Sequence, residues 1–330
     1  MILAGDVGGT KIHLALFRRK GPRLVRTAEE IVATADAPSA GAAVGSFCAR
    51  HAARPDAAAL GVAGPVTGGA VRGANLPWIL REQEIVDAIG GAPVRLVNDL
   101  AASAHGLGEL GPADLVALQE GTARPDANRG LVSPGTGLGE CVIHRVAGRW
   151  EPVATEGGHA DFAARTDEEI DLLLWLRAEF GRASAERVVS GPGLVNVFQW
   201  LRVSGRVADD ARFDAEAEGH DLPAMITAAA LAGSSRLCAE AMRIWVTAFG
   251  AESGNVALRG LTLGGVFLGG GIPARVLAAL REPWFLEAFR DKEPHRRLLE
   301  QVPVWVVLNS ETPLLGAARL ADALAREAGR

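Results

Sequence analysis

Asn98-Asp99 follows Val94–Val97, which reads as a buried strand, so an amide and a carboxylate stand together at its end. A carboxylate fixed there can accept the proton of an attacking hydroxyl during phosphoryl transfer, or it can cap the helix that begins at the next residue. A free Asp, with a pKa near 3.9, would act by orienting the hydroxyl and taking its proton late. Glu156-Gly157-Gly158-His159 follows the strand-like Pro152–Thr155. Its carboxylate and imidazole, three apart and freed by two glycines, can converge on vicinal hydroxyls. A zinc reading would need a third ligand at regular spacing, and the segment has none. Glu186 precedes the loop Arg187–Gly193, which either brings it to the same pocket or leaves it on a helix surface.

Three glycine clusters could receive a phosphorylated ligand. In Gly5-Asp6-Val7-Gly8-Gly9-Thr10-Lys11 a carboxylate ends a strand and two glycines form the turn. Backbone N–H groups in such a turn can make a nest for an anion, with a hydroxyl from Thr10 and a charge from Lys11. Asp6 could hold Mg²⁺, directly or through water. An ordinary hairpin turn would have the same composition. Pro134-Gly135-Thr136-Gly137-Leu138-Gly139 is a second such loop, without the Gly-Lys-Ser/Thr ending of a Walker loop or the G-x-G-x-x-G spacing. Each turn leads into a strand, whereas a dinucleotide fingerprint opens a helix. Gly269-Gly270-Gly271 follows a buried strand and precedes a helix, which suits adenosine, a phosphate or simply a tight connection.

The elements that must position these groups come in two rounds. Ile2–Val7, Ile12–Phe17 and Leu24–Val32 read as strands, the first two as a hairpin; Pro38–Ala53 reads as a helix and Ala57–Val62 as a buried strand. Arg81–Ile89 and Leu100–Leu107 read as helices around the Val94–Val97 strand. The second round starts with Gly130–Ser133 and Glu140–Val146, then a helix capped by Thr166 and reaching Phe180, and another over Pro192–Leu201. Val207–Asp221 reads as a polar, mobile connection. Ser234–Leu258 is a long helix, Leu261–Leu268 and Pro303–Leu308 are strands, and Pro313–Arg326 is the last helix. Two units that both begin with strand–glycine turn–strand imply two similar α/β domains facing a cleft.

The 330 residues carry a net charge of −5, so a nucleic-acid surface is not expected; the cluster Arg18, Arg19, Lys20, Arg23 and Arg26 reads as a solvated turn. Three cysteines without CxxC spacing argue against disulfides and zinc and for packing thiols in a reducing compartment. The start lacks a signal-peptide pattern, and no apolar run approaches the roughly 20 residues of a membrane span. A cytoplasmic protein without membrane or nucleic-acid partners is expected.

Taken together, these segments resemble the bacterial glucokinase family of the actin-like ATPase superfamily. The matching stretches are GDVGGTK from Gly5, NDLAASAHGL from Asn98, PGTGLGE from Pro134, EGGHADFA from Glu156, SAERVVSGPGLVNVF from Ser184 and GGVFLGGGIPARVL from Gly264. They occur in family order across nearly the whole chain, and the Glu156 and Ser184 segments are the most specific. The resemblance implies a two-domain actin-like ATPase fold, related to ribonuclease H, with an interdomain cleft. Residues 1–108 with 310–330 would form a small α/β domain, and 109–309 a larger α+β domain. It implies ATP-dependent phosphorylation of glucose, with Asp99 as the catalytic base and Asn98, Glu156, His159 and Glu186 on the sugar. It also implies nucleotide contacts from Asp6, Gly8, Gly9, Thr10, Lys11, Gly135, Thr136, Gly137, Gly270 and Gly271, Mg²⁺ near Asp6, and a homodimer. The cysteine-rich zinc motif of the related repressor–kinase group is absent. Lys11 stands where relatives carry Asn, and Ser133-Pro134 and Glu140 where small or apolar residues are common. A kinase for another hexose, a polyphosphate-dependent enzyme and a non-catalytic sugar sensor are the rival expectations.

Overall fold

The computed structural model describes residues 1–73, 76–122, 124–208 and 211–329. The chain divides into two compact units, Met1–Gly111 with Asn309–Arg330, and Pro112–Leu308.

In the first unit, β1 (Ile2–Val7) pairs antiparallel with β2 (Lys11–Lys20), and β2 with β3 (Arg23–Ala33). After α1 (Ala40–Arg50), capped by the Ser39 hydroxyl, β4 (Ala58–Val62) lies parallel to β1. A small sheet of β5 (Val66–Thr67), β6 (Ala70–Val71) and β7 (Leu80–Arg81) precedes α2 (Glu82–Ala88). Then β8 (Val94–Asn98) joins parallel to β4, giving the order β3-β2-β1-β4-β8, and α3 (Asp99–Gly106) follows directly. Strand alternation sorts the core. Leu3, Val7, Leu14 and Leu60 meet Val44, Phe47 and Ile85 on one face. Ile2, Ala4, Ala15 and Ala59 meet Leu314, Ala317 and Ala321 of the C-terminal helix (Thr312–Glu327) on the other. That helix also lies against α3 so closely that a methyl at Gly316 would overlap the Ala102 carbonyl, which fixes the start of α3 and Asp99 with it.

The second unit repeats the plan. Following β9 (Leu115–Gln119), β10 (Arg129–Pro134), β11 (Leu138–Val146) and β12 (Arg149–Thr155) form an antiparallel meander. Helices α4 (Asp167–Phe180), α5 (Gly191–Ser204), α6 (Ala211–Ala217), α7 (Leu222–Ala232) and α8 (Arg236–Gly260) come next. The chain returns through β13 (Val266–Leu268), the short helices α9 (Gly271–Arg275), α10 (Leu277–Leu280), α11 (Pro283–Arg290) and α12 (Arg296–Leu299), and β14 (Val304–Val307). The order is β12-β11-β10-β13-β14-β9, with β13 and β14 parallel to β10. This is the first sheet's arrangement with one antiparallel edge strand added. The α8 helix is buried along most of its length, and Trp245 and Phe249 pack with Phe285 and Phe289 of α11. Each such aromatic contributes roughly 2–3 kcal/mol by leaving water.

Three local expectations change. The 207–221 connection carries α6, because Phe213 buries against Phe198 and Asp214 pairs with Arg202; Asp209 and Asp210 lie outside the described residues. The 261–268 strand shrinks to Val266–Leu268, since Leu261 takes φ +44° to close α8 and Gly265 takes φ +118°. The basic cluster is not merely a solvated turn: Arg19 pairs with Asp322, and Arg26 with Glu29 and Glu311. The three cysteines are free and buried, and burial pushes the Cys141 thiol up to about 12. Among the described residues no single helix is long and apolar enough to cross a membrane.

Candidate active site

Because β1, β4 and β8 are parallel, their carboxyl ends share one edge of the first sheet, and polar side chains collect there. Asp6 comes from the end of β1 and Asp99 from the residue after β8. Asn98, not Asp99, is the residue that caps α3: its Oδ1 accepts from the N–H groups of Leu100 (2.9 Å) and Ala101 (3.3 Å). Its Nδ2 donates to the Gly64 carbonyl at 3.3 Å, which leaves one amide hydrogen for a ligand. Asp99 Oδ1 accepts from Leu100 at 2.9 Å, so its carboxylate is held by the same helix end. Burial pushes the Asp99 carboxyl above its ordinary value, and its bonds to Leu100 and to its own N–H pull it partway back. Burial and the neighbouring Asp99 charge push Asp6 up too, against the pull of Lys11 and His13.

Lys11 and His13 do not offset the desolvation of the two carboxyls, both of which stay pushed up, and a divalent cation would add the missing positive charge. The donor set near Asp6 therefore fits Mg²⁺ held largely through water. His13, Glu29 and Glu311 also bring metal-type donors together, but Arg26 already binds both of those glutamates. In the first glycine turn Gly8 N–H donates to Lys11 O (2.9 Å), and Thr34 anchors the loop by donating its hydroxyl to Gly8 O (2.8 Å). Gly9, Thr10 and Lys11 are exposed.

The second unit carries its groups at the matching edge, where β10 and β13 end. Gly135 N–H donates to Gly137 O (2.8 Å), and Gly191, the first residue of α5, donates to Gly135 O (2.8 Å). The turn is thus seated on the positive end of a 14-residue helix, a favourable place for phosphate. Gly270, at φ +81°, packs against Ser133 and Pro134, and Gly271 starts α9. Beside the turn lies a cavity of about 560 Å³. Thr136 and Gly191 stand on its rim. Trp245, Met242, Leu231, Ile272 and Val276 line its apolar wall, with Asp221, Thr227 and Arg275 as polar groups. The Trp245 indole donates to Ser190 O (3.0 Å), which locks that wall to the cap of α5.

Glu156, His159 and Glu186 come together in this unit. The imidazole lies between the two acids, with Nε2 3.9 Å from Glu156 and Nδ1 3.7 Å from Glu186. Glu156 and His159 are largely exposed, while Glu186 is about a quarter exposed, on a one-turn helix rather than an open surface. Glu186 Oε2 accepts from Leu138 N–H at 2.9 Å, joining this group to the residue that follows the Gly135–Gly137 turn. The two glycines between Glu156 and His159 serve close approach rather than freedom of movement. A methyl on Gly157 would overlap Glu140 Oε2, and one on Gly158 the Leu138 carbonyl.

A cavity wide enough for a nucleoside, a phosphate-type turn at its rim and a set of acceptors suited to hydroxyls lie in sequence along one unit. A family model described as glucokinase matches residues 3–324. The chain belongs to the glucokinase family. It is 35% identical to a glucokinase of Nostoc sp., with 98% of this chain and 99% of that one covered. The structure superimposes on a glucokinase from an Antarctic psychrotroph with a TM-score of 0.87 at 30% identity, covering 98% of each. A Streptomyces griseus glucokinase of the ROK family, solved with glucose and AMPPNP, shares the fold at TM-score 0.62 and 24% identity, over 98% of this chain and 99% of that one. The glucokinase resemblance and the two-domain actin-like ATPase fold expected from the sequence both hold. Sequence reading missed the cavity wall of Thr227, Trp245 and Ile272. Its signal was the apolar run Leu222–Ala232, whose length suits a helix and which follows the polar stretch directly.

Proposed function

We infer that this chain is a glucokinase that transfers the γ-phosphoryl group of ATP to glucose, yielding glucose 6-phosphate. The observation that carries this reading is Glu186, which approaches His159 with one carboxylate oxygen and holds Leu138 of the second phosphate turn with the other. One side chain thereby ties a hydroxyl-binding group to a phosphate-binding turn. Adenosine fits the apolar cavity beside Thr136, with the third glycine cluster, including Gly270 and Gly271, flanking it. The Gly135–Gly137 and Gly8–Lys11 turns serve the phosphates. Asn98, with its spare amide hydrogen, and Glu156, His159 and Glu186 bind and orient the sugar hydroxyls.

Asp99 is the base in this reading. Its carboxyl, raised by burial, is a better acceptor than a free Asp, and Leu100 keeps it aimed. It orients the primary hydroxyl and takes the proton as the oxygen bonds to phosphorus. Mg²⁺ near Asp6 would neutralise charge on the phosphate oxygens. A homodimer rests on the family resemblance alone, and a cytoplasmic location on the sequence composition. A coupled assay for glucose 6-phosphate with ATP and Mg²⁺, run beside a hexose panel and polyphosphate, tests the reading. Glucose with ATP should give the highest kcat/KM; a preference for another hexose or for polyphosphate would replace it.

A further inference from the structure

Beneath the Glu156–His159 turn lies a carboxyl group that the reaction as described does not use. Glu140, on β11, is only 4% exposed and faces Glu252 of α8, itself 6% exposed. The Gly157 backbone rests on Glu140 Oε2 with no room for a methyl between them. The Thr155 hydroxyl stitches the two layers by donating to Glu140 O (3.0 Å) and accepting from Gly157 N–H (3.1 Å). The Oε1 atom of Glu140 is buried and receives no hydrogen bond from the described residues. A buried ionised carboxylate would leave that oxygen unpaired at considerable cost, whereas a protonated one donates to Glu252.

We propose that Glu140 is a positioning residue for the hexose, holding the Glu156–His159 turn in its binding geometry only while it carries the proton it donates to Glu252. The proposal rests on the sugar site described above and adds its pH control. The charged groups around the pair are few. Arg259 of α8 reaches Glu252 at 3.0 Å and Glu140 at 4.0 Å, but it is half exposed. Glu156 and His159 lie above, on the turn itself. Behind Glu252 stand Lys292, packed on Gly254, and Arg165 with Glu169 and Asp291. Asn255 donates to Glu252 at 2.8 Å. Among the described residues, the side-chain donors Asn255 and Arg259 hydrogen-bond to Glu252 and not to Glu140. Burial first, then the Glu252 charge, push Glu140 up to about 8, with Arg259 opposing. When pH rises past that value, the proton passes to solvent and two adjacent carboxylates repel. The one that can move pushes on Gly157, displacing Glu156 and His159.

The test is the pH dependence of steady-state kinetics in the full-length enzyme. If glucose binding shifts the ionisation of the pair by about one pH unit, KM for glucose rises about tenfold between pH 7 and about pH 9.5. Over the same range kcat and KM for ATP stay within about twofold. Glu140→Gln, which is neutral at every pH and keeps the shape, removes the rise. Glu252→Gln, which takes away the repelling charge, removes the rise as well. The second variant decides the matter if the first does not fold, as read by circular dichroism. A wild-type KM that is flat with pH, or a rise that survives in Glu140→Gln or in Glu252→Gln, overturns the proposal. These results are distinct from failure of the underlying reading, which would show as absent glucose phosphorylation at pH 7 and would remove both.

Discussion

The two glycine turns close hairpins of the same kind in sheets of the same order, yet their surroundings are opposite. The Gly8–Lys11 turn closes a hairpin whose sheet edge carries Asp6 and Asp99, both desolvated. The Gly135–Gly137 turn adjoins an apolar cavity and is fastened by Gly191 and Glu186. Repetition of a backbone plan therefore does not repeat a function. In the proposed reading one copy serves proton transfer and a cation, and the other a nucleoside and a sugar. The hairpin supplies amides in both, and the residues packed beneath decide what those amides serve.

Mutations in the two regions should separate along the same line. Asp99→Ala should lower kcat by about 10³-fold while glucose binding, followed by calorimetry, persists. Retained turnover would take the chemistry away from the first unit. His159→Ala should raise KM for glucose by about 10- to 100-fold, as loss of charged hydrogen bonds implies, with KM for ATP unchanged. Glu186→Ala should raise both constants, because Leu138 loses its acceptor; an effect on glucose alone would show that the turn needs no such anchor. Filling the cavity with Thr227→Trp should raise KM for ATP about tenfold, the loss of roughly 1.4 kcal/mol of binding, and spare glucose affinity. The smallest effect concerns stability. A carboxyl with a raised native pKa favours folding fully below its unfolded pKa near 3.8, and that advantage is lost as pH rises through the native value. Asp99→Asn should accordingly raise the melting temperature at pH 7 by about 1–2 °C, and the gain should fade towards pH 4.

Much of this was legible in the sequence, for identifiable reasons. Alternating or continuous apolar runs bounded by glycine marked β1, β4, β8 and β10, and Thr166 announced α4 by its position before three acids. The chemistry at Asn98-Asp99 was visible because strand ends concentrate polar groups, but the division of labour between cap and base was not. Two adjacent side chains can both reach the same N–H groups, and only geometry assigns them. The cavity wall was hidden for a different reason. Thr227, Trp245 and Ile272 lie on three different helices, and each looks like ordinary core. Glu140 was visible only as a departure from the small or apolar residue common beside the second turn, and its partner Glu252, 112 positions away on a helix face, carries no local sign.

The C-terminal helix that completes the first unit has a consequence for how the chain is made. The face formed by Ile2, Ala4 and Ala59 has no cover until Leu314 to Ala321 emerge from the ribosome. At ~5–20 residues per second, the ~250 residues between Ala59 and Leu314 take about 13–50 s to synthesise. The middle of the polypeptide, contiguous and self-contained, can therefore mature before its beginning. A nascent N-terminal segment must meanwhile keep an alanine-rich surface from sticking to its neighbours, and its smooth, small side chains suit that wait.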